Sequence, residues 1–206
     1  MFVITADQRR SQDGPDLVPD ALGIVTRVGG DSLALAPERT AGDEIQALLS
    51  DADRTLDVVL ALCRTGEWRV GVGVGEVGSA PTGEVRAARG PAFVRARDAV
   101  ERARRSATRV AVSGADDPDD EAERPTGARD VEALLRLLVE LRDRRTDEGW
   151  EVHDLLAEGL SQREIAGRLG ITESAVSRRA GAAALRTEEA AVPALARLLA
   201  RLDAGE

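Results

Sequence analysis

"WRVGVGVGEVG", residues 68–78, alternates valine at 70, 72 and 74 with glycine at 71, 73 and 75. A period of two is the period of a β-strand, so one face of this strand is aliphatic and the other carries no side chains. Glycine inside a strand marks a place where another group approaches the backbone closely. Two occupants suit the bare face: a helix packed on the sheet, or a nucleotide. Gly73, Gly75 and Gly78 also spell GxGxxG. In a dinucleotide-binding unit, however, those glycines follow the strand and open a helix, whereas these begin inside it. The spelling therefore carries no dinucleotide site.

Working outward, "FVITAD" (2–7) reads as a strand closed by an acid, and "LALAPERTAGDEIQALL" (33–49) as two apolar runs around a turn at Gly42 and Asp43. "SDADRTLDVVLALC" (50–63) reads as a helix capped by Ser50 or Asp51, with Leu56, Val59, Leu60 and Cys63 inward. "GPAFVRARDAVERARR" (90–105) supplies a helix with Phe93, Ala96, Val100 and Ala103 on one face, and "TRVAVSG" (108–114) a last strand. Between Asp7 and Asp31 the pattern predicts no helix, and the region reads as shortened. Cys63 is the only cysteine, which excludes an internal disulfide and leaves it a packing role.

The strongest break in composition is "SGADDPDDEAERPTG", residues 113–127, where six acids, one arginine and two prolines lack apolar periodicity. It divides the chain into residues 1–113, an acidic linker at 114–127 and a helical region at 128–206. It also bears on partners. Of the net charge of −9, five units sit in this segment, so the overall acidity argues only weakly against nucleic acid. All 28 basic residues are arginines. No uncharged stretch approaches the roughly 20 residues a membrane span needs, and the expectation is a cytoplasmic protein with no membrane partner.

Beyond the linker, "ARDVEALLRLLVELRDRR" (128–145) places Val131, Leu134, Leu135, Leu138 and Leu141 at helical spacing. "EEAAVPALARLLARL" (188–202) repeats the pattern, with Pro193 expected in a first helical turn. Between them lies "LSQREIAGRLGITESAVSRR", residues 160–179. Ser161 and Glu164 have the spacing of a capping box, which starts a helix by satisfying orphan amides. Ile165, Ala166 and Leu169 form its inward face, Gly170 suits a left-handed helix end, and Ile171 plugs the turn. Thr172 is the N-cap of a second helix with Val176, Ala180 and Ala183 inward, leaving Glu173, Ser174, Ser177 and Arg178 outward. "WEVHDLLAEG" (150–159) supplies a supporting helix through Val152, Leu155 and Leu156. His153, the sole histidine, is expected at the surface.

Three helices with these turns suit a tri-helical DNA reader, and residues 150–186 resemble the helix-turn-helix of sigma-factor region 4 and related bacterial regulators. The resemblance implies Ser174, Ser177 and Arg178 toward base edges, Arg163 and Arg179 toward phosphates, and Thr172 at the entry of the reading helix. Arginine reads guanine through two parallel hydrogen bonds. Residues 150–186 hold five acids and five arginines, so the module is neutral and its non-specific affinity is expected to be low.

The N-terminal part resembles the SatD family through "GDEIQALL", "RVGVGVGEV" and "GPAFVRARDAVERA", in that order, over residues 1 to about 113. The same blocks look like a nucleotidyl-cyclase or GGDEF palm, in which a carboxylate ending the first strand and another in a hairpin turn hold magnesium. That resemblance puts Asp7 and Asp43 in those positions, with Glu44 beside them, and makes Mg²⁺ the candidate cofactor. Arg9, Arg10 and Arg89 are candidate phosphate partners. Ala41 and Ile45 stand where the GGDEF pattern has glycine and phenylalanine.

The expected fold class is therefore α+β: a ferredoxin-like, cyclase-palm-like α/β sandwich followed by an all-α helix-turn-helix domain. The expected function is that of a transcriptional regulator binding double-stranded DNA as a homodimer, its N-terminal domain sensing a small molecule or nucleotide or mediating dimerisation. The alternative is a metal-dependent nucleotide enzyme using Asp7 and Asp43.

Overall fold

The computed structural model describes residues 1–78, 83–115 and 127–205; most of the acidic linker lies outside them. The protein is mixed α and β. Five strands form one sheet: β1 (Phe2–Gln8), β2 (Leu33–Ala41), β3 (Glu44–Leu49), β4 (Trp68–Val74) and β5 (Val110–Ser113), in the order β2-β3-β1-β4-β5. β1 is central and antiparallel to both β3 and β4, β2 is antiparallel to β3, and β5 lies parallel to β4. No helix among the described residues is long and apolar enough to cross a membrane.

The bare face of β4 decides how the sheet is covered. In the register of β1 and β4, Val3, Thr5 and Asp7 lie opposite Gly73, Gly71 and Arg69. This face receives α3 (Pro91–Ala103), whose buried side presents Ala92, Ala96, Ala99 and Ala103. A Cβ on Gly71 would stand 2.5 Å from Ala96 O and 2.8 Å from Val100 Cα, and one on Gly73 would stand 2.9 Å from Ala96 Cα. Those neighbours are backbone atoms of α3. The occupant of the glycine face is thus a helix at backbone-to-backbone range, and a nucleotide has no room there.

α1 (Val18–Gly29) and α2 (Ala52–Arg64) pack against one another and against the sheet. The Asp51 carboxylate caps α2 by accepting a hydrogen bond from Arg54 N at 2.8 Å, an interaction of about 1 kcal/mol in typical helices. Leu56, Val59, Leu60 and Cys63 are buried as the spacing predicts. α1 overturns the expectation of a shortened region between Asp7 and Asp31. Proline stands in its first turn, and Val18, Ala21, Val25 and Gly29 bury one face. Val18, Ala21, Leu22, Val25 and Val28 recur at helical spacing, and α2 and the sheet supply the surface that buries that face.

β5 is an edge strand whose outer backbone groups are satisfied by side chains. Glu132, on α4 (Gly127–Asp143), accepts from Val112 N at 2.8 Å, Arg136 Nε donates to Val110 O at 3.2 Å, and Arg102 donates to Val112 O at 2.6 Å. Covering an edge in this way removes a template for strand addition.

Two compact units emerge: residues 1–136 with 194–206, and residues 137–193. The division falls within α4 and within α8 (Leu185–Ala204), rather than at the acidic stretch expected to separate two domains. Two details of these helices also differ from expectation. In α4 the buried positions are Ala128, Val131, Leu135, Leu138, Val139 and Arg142, whereas Leu134, expected inward, is 45% exposed. The buried seam runs at alternating three- and four-residue steps and puts Leu134 beside it. Pro193 lies inside α8, not in its first turn. The residues before it are held in the helix because Glu188 is buried in an ion-pair cluster described below.

Gly71→Ala or Gly73→Ala should lower stability by about 3 kcal/mol, the upper end of overpacking costs, because backbone cannot swing away. Gly23→Ala should raise it by about 0.5–1 kcal/mol, since Gly23 is exposed inside α1 and a Cβ there meets nothing within 4 Å. Urea unfolding of the variants measures both.

Candidate nucleic-acid interface

The second unit is built on α5 (Asp147–Ala157), α6 (Gln162–Leu169) and α7 (Glu173–Ala182). Their apolar faces meet in a cluster of Val152, Leu155, Ile165, Ala166 and Val176, with Leu156, Leu169, Ile171 and Ala180 packed around it. Ala166 and Ala180 are small enough to let the helices approach.

Local chemistry sets each helix end. At α6 the capping box is complete: Ser161 Oγ accepts from Glu164 N at 3.3 Å, and the Glu164 carboxylate accepts from Ser161 N at 2.8 Å. The Ser161 hydroxyl, which donates to the Glu164 carboxylate at 2.7 Å, and then the Ser161 amide hold the Glu164 carboxyl below its ordinary pKa. Gly170 ends α6 at φ 65°, ψ 31°, the left-handed region in which a side chain is strained. Thr172 then caps α7, its Oγ1 accepting from Ala175 N at 3.2 Å and lying 2.9 Å from Ser174 Oγ.

The predicted DNA-facing residues separate into free and engaged groups. Arg163, Ser174, Ser177 and Arg178 are exposed. Neither Arg163 nor Arg178 has a hydrogen bond or ion pair among the described residues, so both guanidinium groups are open to a partner. Arg179 is half-buried and donates to Glu151 at 3.1 Å, tying α7 to α5. Thr172 is spent largely on capping. What remains is a helix face of two hydroxyls and a free arginine on α7, with a second free arginine on α6.

Sequence reasoning missed the cluster that supports this unit. Arg142 and Arg145 both pair with Glu188, and the three residues are 6–9% exposed. Arg145 also donates to Ala183 O, at 3.3 Å from Nε and 3.0 Å from Nη2, which satisfies the carbonyl at the end of α7. The indole of Trp150 faces both guanidinium groups, at 4.8 Å from Arg142 and 4.3 Å from Arg145. The legible signal was the pair of arginines three residues apart, continuing the buried seam of α4.

His153 belongs to the edge of this cluster instead of the open surface. Its ring meets Trp150 edge to face at 5.0 Å and its Nδ1 lies 2.9 Å from Asp154 Oδ1. Burial pushes its pKa below 6.5, opposed by the bond to Asp154 and aided by the nearby Arg142 and Arg145.

The metal ligands implied by the palm resemblance fare differently. Asp7, 5% exposed, accepts from Arg69 Nη1 and Arg104 Nη2, each at 2.9 Å on a different carboxylate oxygen. Asp7 raises the pKa of Arg104. Asp43 accepts from the Ser11 hydroxyl and lines the same depression as Asp7. Glu44 lines another cleft and accepts from Thr40 Oγ1 at 2.6 Å. These residues do not fit a magnesium ion: both Asp7 oxygens are taken by cations, and no cluster of three metal-ligating side chains exists among the described residues. Of the candidate phosphate partners, Arg9 donates to Gly66 O and Arg10 lies in the Asp7 depression. Arg89 lies in the Glu44 cleft.

Comparison with protein-family models, with curated proteins and with solved structures finds no match to the chain.

Because protonation of His153 is disfavoured in the folded state, the unfolded chain binds more protons on falling below pH 6.5, and stability should fall with it. His153→Gln should flatten that part of the curve, as followed by thermal unfolding between pH 7.5 and 5.5. Asp7→Ala should lower the unfolding midpoint by removing the buried carboxylate that holds Arg69 and Arg104, and adding Mg²⁺ should leave the wild-type midpoint unchanged; calorimetric melts read both.

Proposed function

We propose that the protein is a sequence-specific binder of double-stranded DNA and acts as a transcriptional regulator. In this reading α6 and α7 form a helix-turn-helix, with α7 as the reading helix. The observation that carries it is the junction itself. A helix closed by left-handed Gly170 leads directly to one opened by Thr172, and the second helix presents Ser174, Ser177 and Arg178 to solvent.

Arg178 is the residue for base readout, and Arg163 the one for phosphate. Ser174 and Ser177 give short hydroxyl contacts that fit close to base edges. Arg179 serves to hold α7 against α5, a narrower role than its position in sequence implied. Residues 150–186 carry no charge excess, so long-range attraction contributes little and affinity rests on a few contacts repeated across two copies.

For the N-terminal unit, the order strand, α1, hairpin, α2, strand, with β2-β3-β1-β4 side by side, supports a ferredoxin-like reading extended by α3 and β5. It is also compatible with the SatD and palm resemblance. We assign it a sensing or dimerising role, and not a metal-dependent one.

Selection of bound duplexes from a random pool with the full-length chain should enrich a motif with half-sites about 10 bp apart, and Arg178→Ala should abolish the enrichment. Arg163→Ala should weaken binding evenly across sequences and reduce the slope of log affinity against log salt by about 0.9 per copy. Absence of any enriched motif, with no binding at low salt, would refute the proposal.

A further inference from the structure

On the face of the sheet that α3 covers only in part, a cleft of about 430 Å³ opens between α3, the segment around Arg86 to Gly90, and β3. Its volume lies in the range of small-molecule sites. Its lining is unusual in three respects.

The first is a polar floor. Gln46 lines the cleft although it is only 4% exposed, and its Nε2 donates to the fully buried Thr5 Oγ1 at 3.3 Å. The carboxamide oxygen accepts no hydrogen bond among the described residues. Exchanging the amide's oxygen and nitrogen would still leave one of its two polar ends without a protein partner. That end opens to the cleft, where solvent or a donor group of a ligand meets it.

The second is charge. Arg86, Arg89 and Arg97 line the cleft against the single acid Glu44, so the lining is cationic in a chain of net charge −9. Arg97 is exposed and has no partner among the described residues, and Arg89 spends only Nη1, on the carbonyls of Arg86 and Ala88 at 3.2 and 3.1 Å. Arg86 shares its Nε with Glu84 at 3.1 Å. Guanidinium groups match the geometry of phosphate oxygens.

The third is the gradient between the two. Glu44 sits near the floor, next to Gln46 in sequence separation of two and on the same face of β3, where it disfavours an anion. Phe93 adds an apolar wall. A ligand suited to this cleft places its dianionic end among the arginines and an uncharged end bearing hydrogen-bond donors toward Glu44 and Gln46.

We propose that this cleft binds a small phosphate monoester whose organic part carries donor groups, as a sugar phosphate or a nucleoside monophosphate does. The site requires no metal and does not involve Asp7 or Asp43. It goes beyond the DNA-binding reading and does not depend on it.

The test is isothermal titration of the full-length chain, without DNA or divalent cations, using AMP, GMP, CMP, UMP, ribose 5-phosphate and inorganic phosphate as separate probes. The expected result is saturable binding of at least one ester at one site, tighter than inorganic phosphate. Arg89→Ala, Arg97→Ala and Gln46→Leu should each weaken it about tenfold or more, while Arg105→Ala, outside the cleft, should not. Circular dichroism shows whether each variant is folded, and the two arginine variants, being exposed, retain the test if Gln46→Leu is not. The proposal is overturned if no ester saturates, if inorganic phosphate binds as tightly as every ester, or if the two arginine variants bind like the wild type. None of these outcomes bears on the DNA selection, so the two readings fail separately.

Discussion

The close contact between the glycine face of β4 and the alanine stripe of α3 is the constraint on which the N-terminal unit depends. Because Gly71 and Gly73 have no Cβ, the helix comes to backbone range, and the small residues Ala92 and Ala96 let it stay there. Larger side chains on either partner would hold α3 away from the sheet and open its core. The same contact sets the end of α3 near the end of β1, which is why Arg104 reaches Asp7. A carboxylate that resembles a metal ligand in sequence is thereby turned into the anchor of two arginines.

A second theme is the use of charged side chains for structural ends. Glu132, Arg136 and Arg102 complete the hydrogen bonding of the β5 edge, and Arg145 satisfies the Ala183 carbonyl at the end of α7. The buried Arg142, Arg145 and Glu188 cluster is not evidence of great stability by itself, since desolvation of three charges offsets much of their attraction. Its effect is geometric: it joins the end of α4, the start of α8 and the indole of α5 in one arrangement. With lysine absent from the chain, these positions use guanidinium groups, whose flat fork satisfies two acceptors at once.

The candidate interface follows from what such pairing leaves over. Arg168 is paired with Glu158 and Arg179 with Glu151, so they contribute little open charge, while Arg163 and Arg178 remain available. Under the proposed DNA-binding reading, a module with few free cations would discriminate by contact more than by bulk attraction, in keeping with a chain whose negative excess lies mainly in the 113–127 segment.

Local chemistry was legible in the residues themselves. The capping box, Gly170, Thr172, the hairpin turn and the alternation of residues 68–78 each act within a few positions, so spacing alone determines them, while it narrows the cap of α2 only to Ser50 or Asp51. The burial of Val152, Leu155, Ile165 and Val176 was readable for the same reason. Other features depend on which surfaces meet. α1 has helical apolar spacing, but the surface it covers is supplied by α2 and the sheet; Leu134 is left exposed although its spacing matches its buried neighbours; and Pro193 lies within a helix held upstream by Glu188. The roles of Asp7 and Arg179 were also decided by tertiary structure, because each is set by a partner distant in sequence, Arg104 for the first and Glu151 for the second; His153 touches its near neighbours Trp150 and Asp154, and it is the burial supplied by the fold that sets its protonation. A residue's type and spacing determine what it can bond to, but only the folded chain determines which bond is within reach.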